Sequence, residues 1–183
     1  QGKQQMLLRT AEHLLEADAA EAAVLGIAAP GDVEQRQDRV KQPAVVRAMA
    51  SAVRIPVTVK MRAGWNADEI NAPTLARMVE DAGAAAVAVH GRTAAQSYTG
   101  ESDWVLIERV AASVKIPVFG SGDCTEPDQI VRRLHASGVR GVLVGRGALR
   151  NPWIFAQAAA MARGEVAPSV PLEARGDFLL EYI

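Results

Sequence analysis

The sequence predicts an α/β fold, a partial TIM (β/α)8 barrel of about five βα units with parallel strands. Three observations predict it. Short apolar runs rich in Val and Ile alternate with stretches whose apolar residues recur at helical spacing. The unit repeats about every 30 residues, the length of one βα unit. One unit also echoes another: Arg54-Ile55-Pro56-Val57 returns as Lys115-Ile116-Pro117-Val118. Each follows a helix-like stretch ending in Ala-Ser-Ala-Val or Ala-Ser-Val. An echo of this kind favours a barrel of repeated units. An open doubly wound sheet is the structural alternative.

The expected strands are residues 22–28, 55–60, 86–90, 116–120 and 141–145. Each is short, apolar and bounded by turn-forming residues, as buried parallel strands are. A helical stripe precedes each one. Leu7, Ala11, Leu14 and Leu15 make the first; Val46, Met49, Ala50 and Val53 the second. Leu75, Met78, Val79 and Ala82 make the third, and Trp104, Ile107, Val110 and Val114 the fourth. Ile130, Val131 and Leu134 make a shorter fifth. Residues 31–42 are polar, without a period, and read as a loop. A closed barrel of this kind needs eight strands, so the chain reads as incomplete at both ends.

Bulk properties narrow the function. With a formal net charge of −1, the chain has no overall basic field to draw in nucleic acid, so any RNA contact must be local. Cys124 is the only cysteine, which rules out an intramolecular disulfide and argues against a cysteine-based zinc site. A single cysteine suits a reducing cytoplasm. No apolar stretch is long enough to span a membrane, and the opening residues do not read as a signal peptide. No His/Glu spacing suggests a metal site.

In barrels of this type chemistry sits where strands end on the C-terminal face. The second strand ends in Lys60-Met61-Arg62 and the third in His90-Gly91-Arg92-Thr93. The fourth ends in Gly120-Ser121-Gly122-Asp123 and the fifth in Gly145-Arg146-Gly147. The last two suit a phosphate. Glycines let backbone N–H groups approach an anion, and a following helix adds its positive end. The plainer account is that these glycines only make tight turns.

Lys60 at the end of a buried strand suits an anionic ligand; the plainer account is a salt bridge at the barrel mouth. His90 leans functional because Gly91-Arg92-Thr93 follows it; alone it would read as a hydrogen-bonded structural residue. His13 and His135 fall in helical stretches and carry no assigned role. Cys124 near a helix start invites a nucleophile reading, but a small buried turn residue accounts for it better. Trp153 and Phe155 read as packing for a helix after the last strand.

Long motifs here resemble one family. Residues 55–65, Ile-Pro-Val-Thr-Val-Lys-Met-Arg-Ala-Gly-Trp, are similar to the fifth barrel strand of the tRNA-dihydrouridine synthases. Residues 89–100, Val-His-Gly-Arg-Thr-Ala-Ala-Gln-Ser-Tyr-Thr-Gly, with Asp103-Trp104, resemble its sixth strand and loop. Ile116 to Asp123 resembles the seventh, and Gly141 to Leu149 with Asn151-Pro152-Trp153-Ile154-Phe155 the eighth and the helix beyond. The likeness is strongest to the bacterial B type.

The resemblance implies an FMN-binding oxidoreductase that uses NADPH and reduces uridine to dihydrouridine in tRNA, in the cytoplasm. It implies that residues 1–170 form strands four to eight of the barrel and residues 171–183 begin a truncated C-terminal helical domain. Carried over by position, Lys60 contacts the flavin ring and His90 lines its site. Ser121, Gly122, Asp123, Gly145 and Arg146 hold the ribityl phosphate. No role follows for Arg92.

Departures matter as well. The family's Asn-x-Gly-Cys-Pro aligns with Gly26-Ile27-Ala28-Ala29-Pro30, so its proton-donating cysteine falls on Ala29. A methyl group donates no proton. The alternative function is therefore a catalytically inactive relative that keeps a flavin or phosphate site. Unpaired sheet edges would favour self-association.

Overall fold

The computed structural model describes residues 23–26 and 38–182. Ala29, His13 and the stripe from Leu7 to Leu15 lie outside them. The strands are β1 (Ala23–Gly26), β2 (Val57–Arg62), β3 (Ala86–His90), β4 (Val118–Ser121) and β5 (Gly141–Leu143). The helices are α1 (Asp38–Ala52), α2 (Ala72–Asp81), α3 (Trp104–Ser113), α4 (Pro127–Ala136), α5 (Arg146–Arg150), α6 (Ile154–Ala162) and α7 (Leu172–Tyr182).

All neighbouring strands pair in parallel, in the order β1-β2-β3-β4-β5. Sequential order decides between the two architectures. A doubly wound sheet reverses its strand order and carries helices on both faces. Here the order never reverses, so right-handed crossovers stack every crossover helix on one side. The fold is a partial TIM barrel.

Burial follows from that. In β2, Val57, Val59 and Met61 are buried beneath the helices, whereas Thr58, Lys60 and Arg62 alternate onto the more open face. Val87 and Val89 of β3 join the same core, with Val46, Val79, Ile107 and Ile130 descending from α1 to α4. Each fully buried valine or isoleucine contributes about 1.5–3 kcal/mol.

Two details differ from expectation. Residues 38–42, expected in a loop, are the first residues of α1. The second and fourth strands begin at Val57 and Val118, just after Pro56 and Pro117. Proline has no N–H for the ladder, so pairing starts one residue later. β2 then runs on to Arg62, and β5 stops at Leu143.

At the chain's far end, Trp153 and Phe178 pack edge to face with ring centroids 5.3 Å apart, which seats α7 on the α5–α6 turn. Phe155 packs against the core, as expected.

Candidate functional site

Register gathers the strand ends into one rim. Arg62, His90, Ser121 and Leu143 are successive cross-strand partners in a single row. Lys60 lies two residues before Arg62, hence on the same face. That face is the one the helices leave uncovered.

The positive charges along the row act on each other. Partial burial, then the Arg62 charge, lowers the Lys60 pKa from its ordinary value. Burial drives His90 down to about 4, and Arg62, Lys60 and Arg92 add to it while Asp123 opposes. His90 is therefore neutral at pH 7. Its Nδ1 accepts the Arg92 backbone N–H at 3.3 Å, which leaves Nε2 to carry the proton.

Two arginines pin the loop after β3. Arg62 Nη1 donates to the carbonyls of Thr93 at 2.9 Å and Ser97 at 3.1 Å. Arg92 is 3% exposed. Its Nε donates to Thr99 O at 3.1 Å and its Nη2 to Gly100 O at 2.7 Å. The same Nη2 meets both carboxylate oxygens of Asp123, at 2.8 and 2.9 Å. Nη1 is the only buried side-chain nitrogen or oxygen among the described residues that has no partner.

The loop after β4 is braced from the start of α3. Ser102 N–H donates to Asp123 Oδ2 at 2.7 Å, and Ser102 Oγ to Ser121 O at 3.2 Å. Trp104 Nε1 donates to Gly122 O at 2.9 Å. Gly122 has φ +126°, and a Cβ there would collide with the Ser102 side chain, so only glycine fits. Asp123 also takes a left-handed backbone, φ +53°. Burial alone would raise the Asp123 carboxyl, but the Ser102 N–H, the Arg92 hydrogen bond and charge, and the Arg146 charge outweigh it and hold it low. No described acceptor takes the backbone N–H of Gly122 or Asp123.

After β5, Arg146 reaches back toward this loop, 3.7 Å from Asp123 Oδ1. Its guanidinium also lies 5.2 Å from the centre of the Tyr98 ring, which is 66% exposed. Ser121, Gly122, Asp123 and Arg146 thus meet, with His90 adjoining: a Cβ on Gly122 would lie 3.6 Å from His90 Nε2.

A helix follows each of these loops, as expected. α4 starts only at Pro127, and its first turn is closed by a capping box between Glu126 and Gln129. α5, after Gly145, has just 5 residues. An anion at this rim would meet side-chain cations and loop amides as well as the start of the short α5. Cys124 is buried, its thiol pushed up to about 11 by burial with Arg133 pulling the other way. It is no ready nucleophile. His135 is exposed on α4. Among the described residues no cluster of His, Cys, Asp or Glu is arranged to hold a metal, and no helix is long and apolar enough to cross a membrane. A cavity of about 380 Å³ lined by Arg150, Trp153, Arg175 and Phe178 lies under α7, with none of the rim residues in its wall.

Sequence reasoning passed over Arg62's grip on the β3 loop, Ser102 and Tyr98, and gave Arg92 no role. Each of these contacts joins residues far apart in the sequence and shows only in the folded chain.

A sequence model described as Dihydrouridine synthase (Dus) matches residues 35–182. The tRNA-dihydrouridine synthase B of Xanthomonas axonopodis pv. citri is 41% identical over 140 residues, which are 76% of this chain and 42% of that one. A probable tRNA-dihydrouridine synthase of Rhodobacter capsulatus is 43% identical over 139 residues, 75% of this chain and 43% of that one. The chain thus spans less than half the length of these curated relatives. Among solved structures, a lactate oxidase of Pediococcus acidilactici superposes with TM-score 0.52 at 22% identity, over 79% of this chain and 44% of that one. The BexX/CysO complex of Amycolatopsis orientalis gives TM-score 0.54 at 19% identity, over 90% of this chain and 66% of that one. At such identities the superpositions speak for the fold alone.

Proposed function

The chain belongs to the dihydrouridine synthase (Dus) family, and from that premise we propose that its basic rim binds FMN for the reduction of uridine to dihydrouridine in tRNA. One observation carries the reading: Lys60, His90, Ser121-Gly122-Asp123 and Arg146 converge on one edge of the sheet.

The donor set fits a phosphorylated flavin. Its one acid, Asp123, is already matched by Arg92 and Ser102. That leaves the Gly122 and Asp123 amides, the Ser121 hydroxyl and the Arg146 guanidinium to a phosphate. A Cβ on Gly145 would meet nothing within 4 Å, so the backbone there is open to approach. Lys60 would set a positive charge beside the negative charge of the reduced ring. Neutral His90 would line the ring and offer its Nε2 proton as a donor. FMN, when bound, supplies hydride transfer, with NADPH as the reductant. The tRNA substrate implies a cytoplasmic protein.

A second reading rests on Ala29. The aligned family position holds the acid that protonates the uracil ring, and alanine has no proton to give. A chain that binds flavin without completing the reaction would keep this rim intact. Among the described residues no strand pairs with the outer edges of β1 and β5, which would favour self-association of the chain, seen as a mass above the monomer in light scattering.

Flavin titration tests the shared claim. FMN should bind more tightly than riboflavin, and Lys60→Met and Arg146→Gln should each weaken it by about tenfold or more. Equal binding of the two flavins, untouched by either change, would remove the reading. Complementation of a strain lacking dihydrouridine separates the two versions: restoration supports only the active one.

A further inference from the structure

We infer that Arg92 is a positioning residue that shapes the loop of Ser121, Gly122 and Asp123 to receive an anion, acting through the Asp123 carboxylate. The inference rests on the phosphate site proposed above and adds what sets its geometry.

Arg92 sits at a junction. It leaves the end of β3, grips the carbonyls of Thr99 and Gly100, and closes on Asp123 beyond β4. One side chain thus ties two loops that flank the rim. A brace of that kind is fixed in direction, because the guanidinium is planar and its donors are rigidly spaced.

What it holds is a strained element. Asp123 adopts φ +53°, a conformation that a residue with a side chain seldom takes unaided. Its carboxylate is engaged by Arg92 Nη2 and the Ser102 N–H together. With the side chain drawn to those partners, the amides of Gly122 and Asp123 are left without described acceptors. Arg92 also cancels the one negative charge that would repel an incoming phosphate.

Stability alone is a poor explanation for this residue. Arg92 is buried and Asp123 half-buried, and a charge taken out of water for an ion pair often gains little over an apolar residue of the same volume. Nη1 adds to the disadvantage, since it is desolvated and has no partner among the described residues.

The phosphate provides the test. FMN and riboflavin share the ring and differ in that group, so their affinities for the full chain are compared by flavin fluorescence. Arg92→Met should weaken FMN by about tenfold or more while riboflavin changes by less than about twofold, and Arg92→Lys should fall between. Thermal melts check each fold. Should Arg92→Met fail to fold, Asp123→Asn serves, and its sign is diagnostic. As a brace, Asp123 is needed, and its loss weakens FMN selectively. As a bare charge, its removal would strengthen FMN, and the inference is overturned. Equal loss of both flavins in a folded Arg92 variant, or loss of neither, also overturns it while leaving the phosphate site standing. If the parent chain itself fails to prefer FMN, the site and the inference fall together.

Discussion

The indole of Trp104 stands where a side chain on Gly120 would go: a Cβ there would lie 2.5 Å from Trp104 Cζ3. The same indole donates through Nε1 to the Gly122 carbonyl, so one ring sets both the strand and its loop. Arg133 covers it, 4.9 Å from the ring centre. Gly120→Ala should therefore destabilise the chain by about 1–3 kcal/mol, as overpacking does. Denaturant melts measure it. Trp104→Phe in the same chain should recover part of that loss, because the smaller ring yields the contested space; strictly additive losses would contradict the packing described.

His90 sets a pH dependence. Its folded pKa, about 4, lies below its ordinary 6.5. Between those values the unfolded chain binds the extra proton, so this contribution to stability is complete above pH 6.5 and is lost as pH falls toward 4. The loss is on the order of 2 kcal/mol, given the partial exposure of the ring. Proton NMR, assigned with His90→Asn, should find the ring neutral at pH 6. A titration midpoint near 6.5 would contradict the burial that causes the shift.

Glu80 at the end of α2 reaches the entry of β4. Its Oε1 accepts the backbone N–H of Lys115 at 2.7 Å and of Ile116 at 3.0 Å. Glu80→Ala leaves both donors to water and should cost about 1–2 kcal/mol in a chemical melt. Glu80→Gln retains the acceptor oxygen and should cost less than half as much. Equal losses for the two variants would show that the carboxylate charge, not the bonds, is what counts.

Tyr98 steadies Arg146 by lying under its guanidinium. Tyr98→Phe keeps the ring face and should leave FMN affinity unchanged. Tyr98→Ala should weaken it by about twofold to fivefold, the worth of an exposed cation–π contact. Flavin titration reads both, and a loss in the Phe variant would instead implicate the hydroxyl.

The sheet was legible in the sequence because its signal is local. Residues 86–90 form a short apolar run bounded by turn residues, enough to place β3, and the repeated Ile-Pro-Val marks where two strands enter. Lys60 and His90 were legible as strand-end residues for the same reason. The brace beneath the rim was not. Arg92 meets Asp123 across 31 residues and Ser102 meets it across 21, and no periodicity links such positions. The start of α1 is not legible because a largely polar first turn gives no apolar stripe. The capping box of Glu126 and Gln129 at the start of α4 joins polar residues that carry no apolar stripe, so periodicity does not mark it.

That self-sealed helix end decides what kind of selectivity this rim can have. With α4 capped and α5 short, much of the pull on a guest falls to the Arg146 guanidinium and the Lys60 ammonium beside the loop amides. The charged part of that pull follows the guest's valence and is screened by salt. Sulfate should then compete with phosphate on nearly equal terms, and added sodium chloride should loosen any bound dianion steadily. Buffers chosen for purification will accordingly govern how much ligand the chain retains.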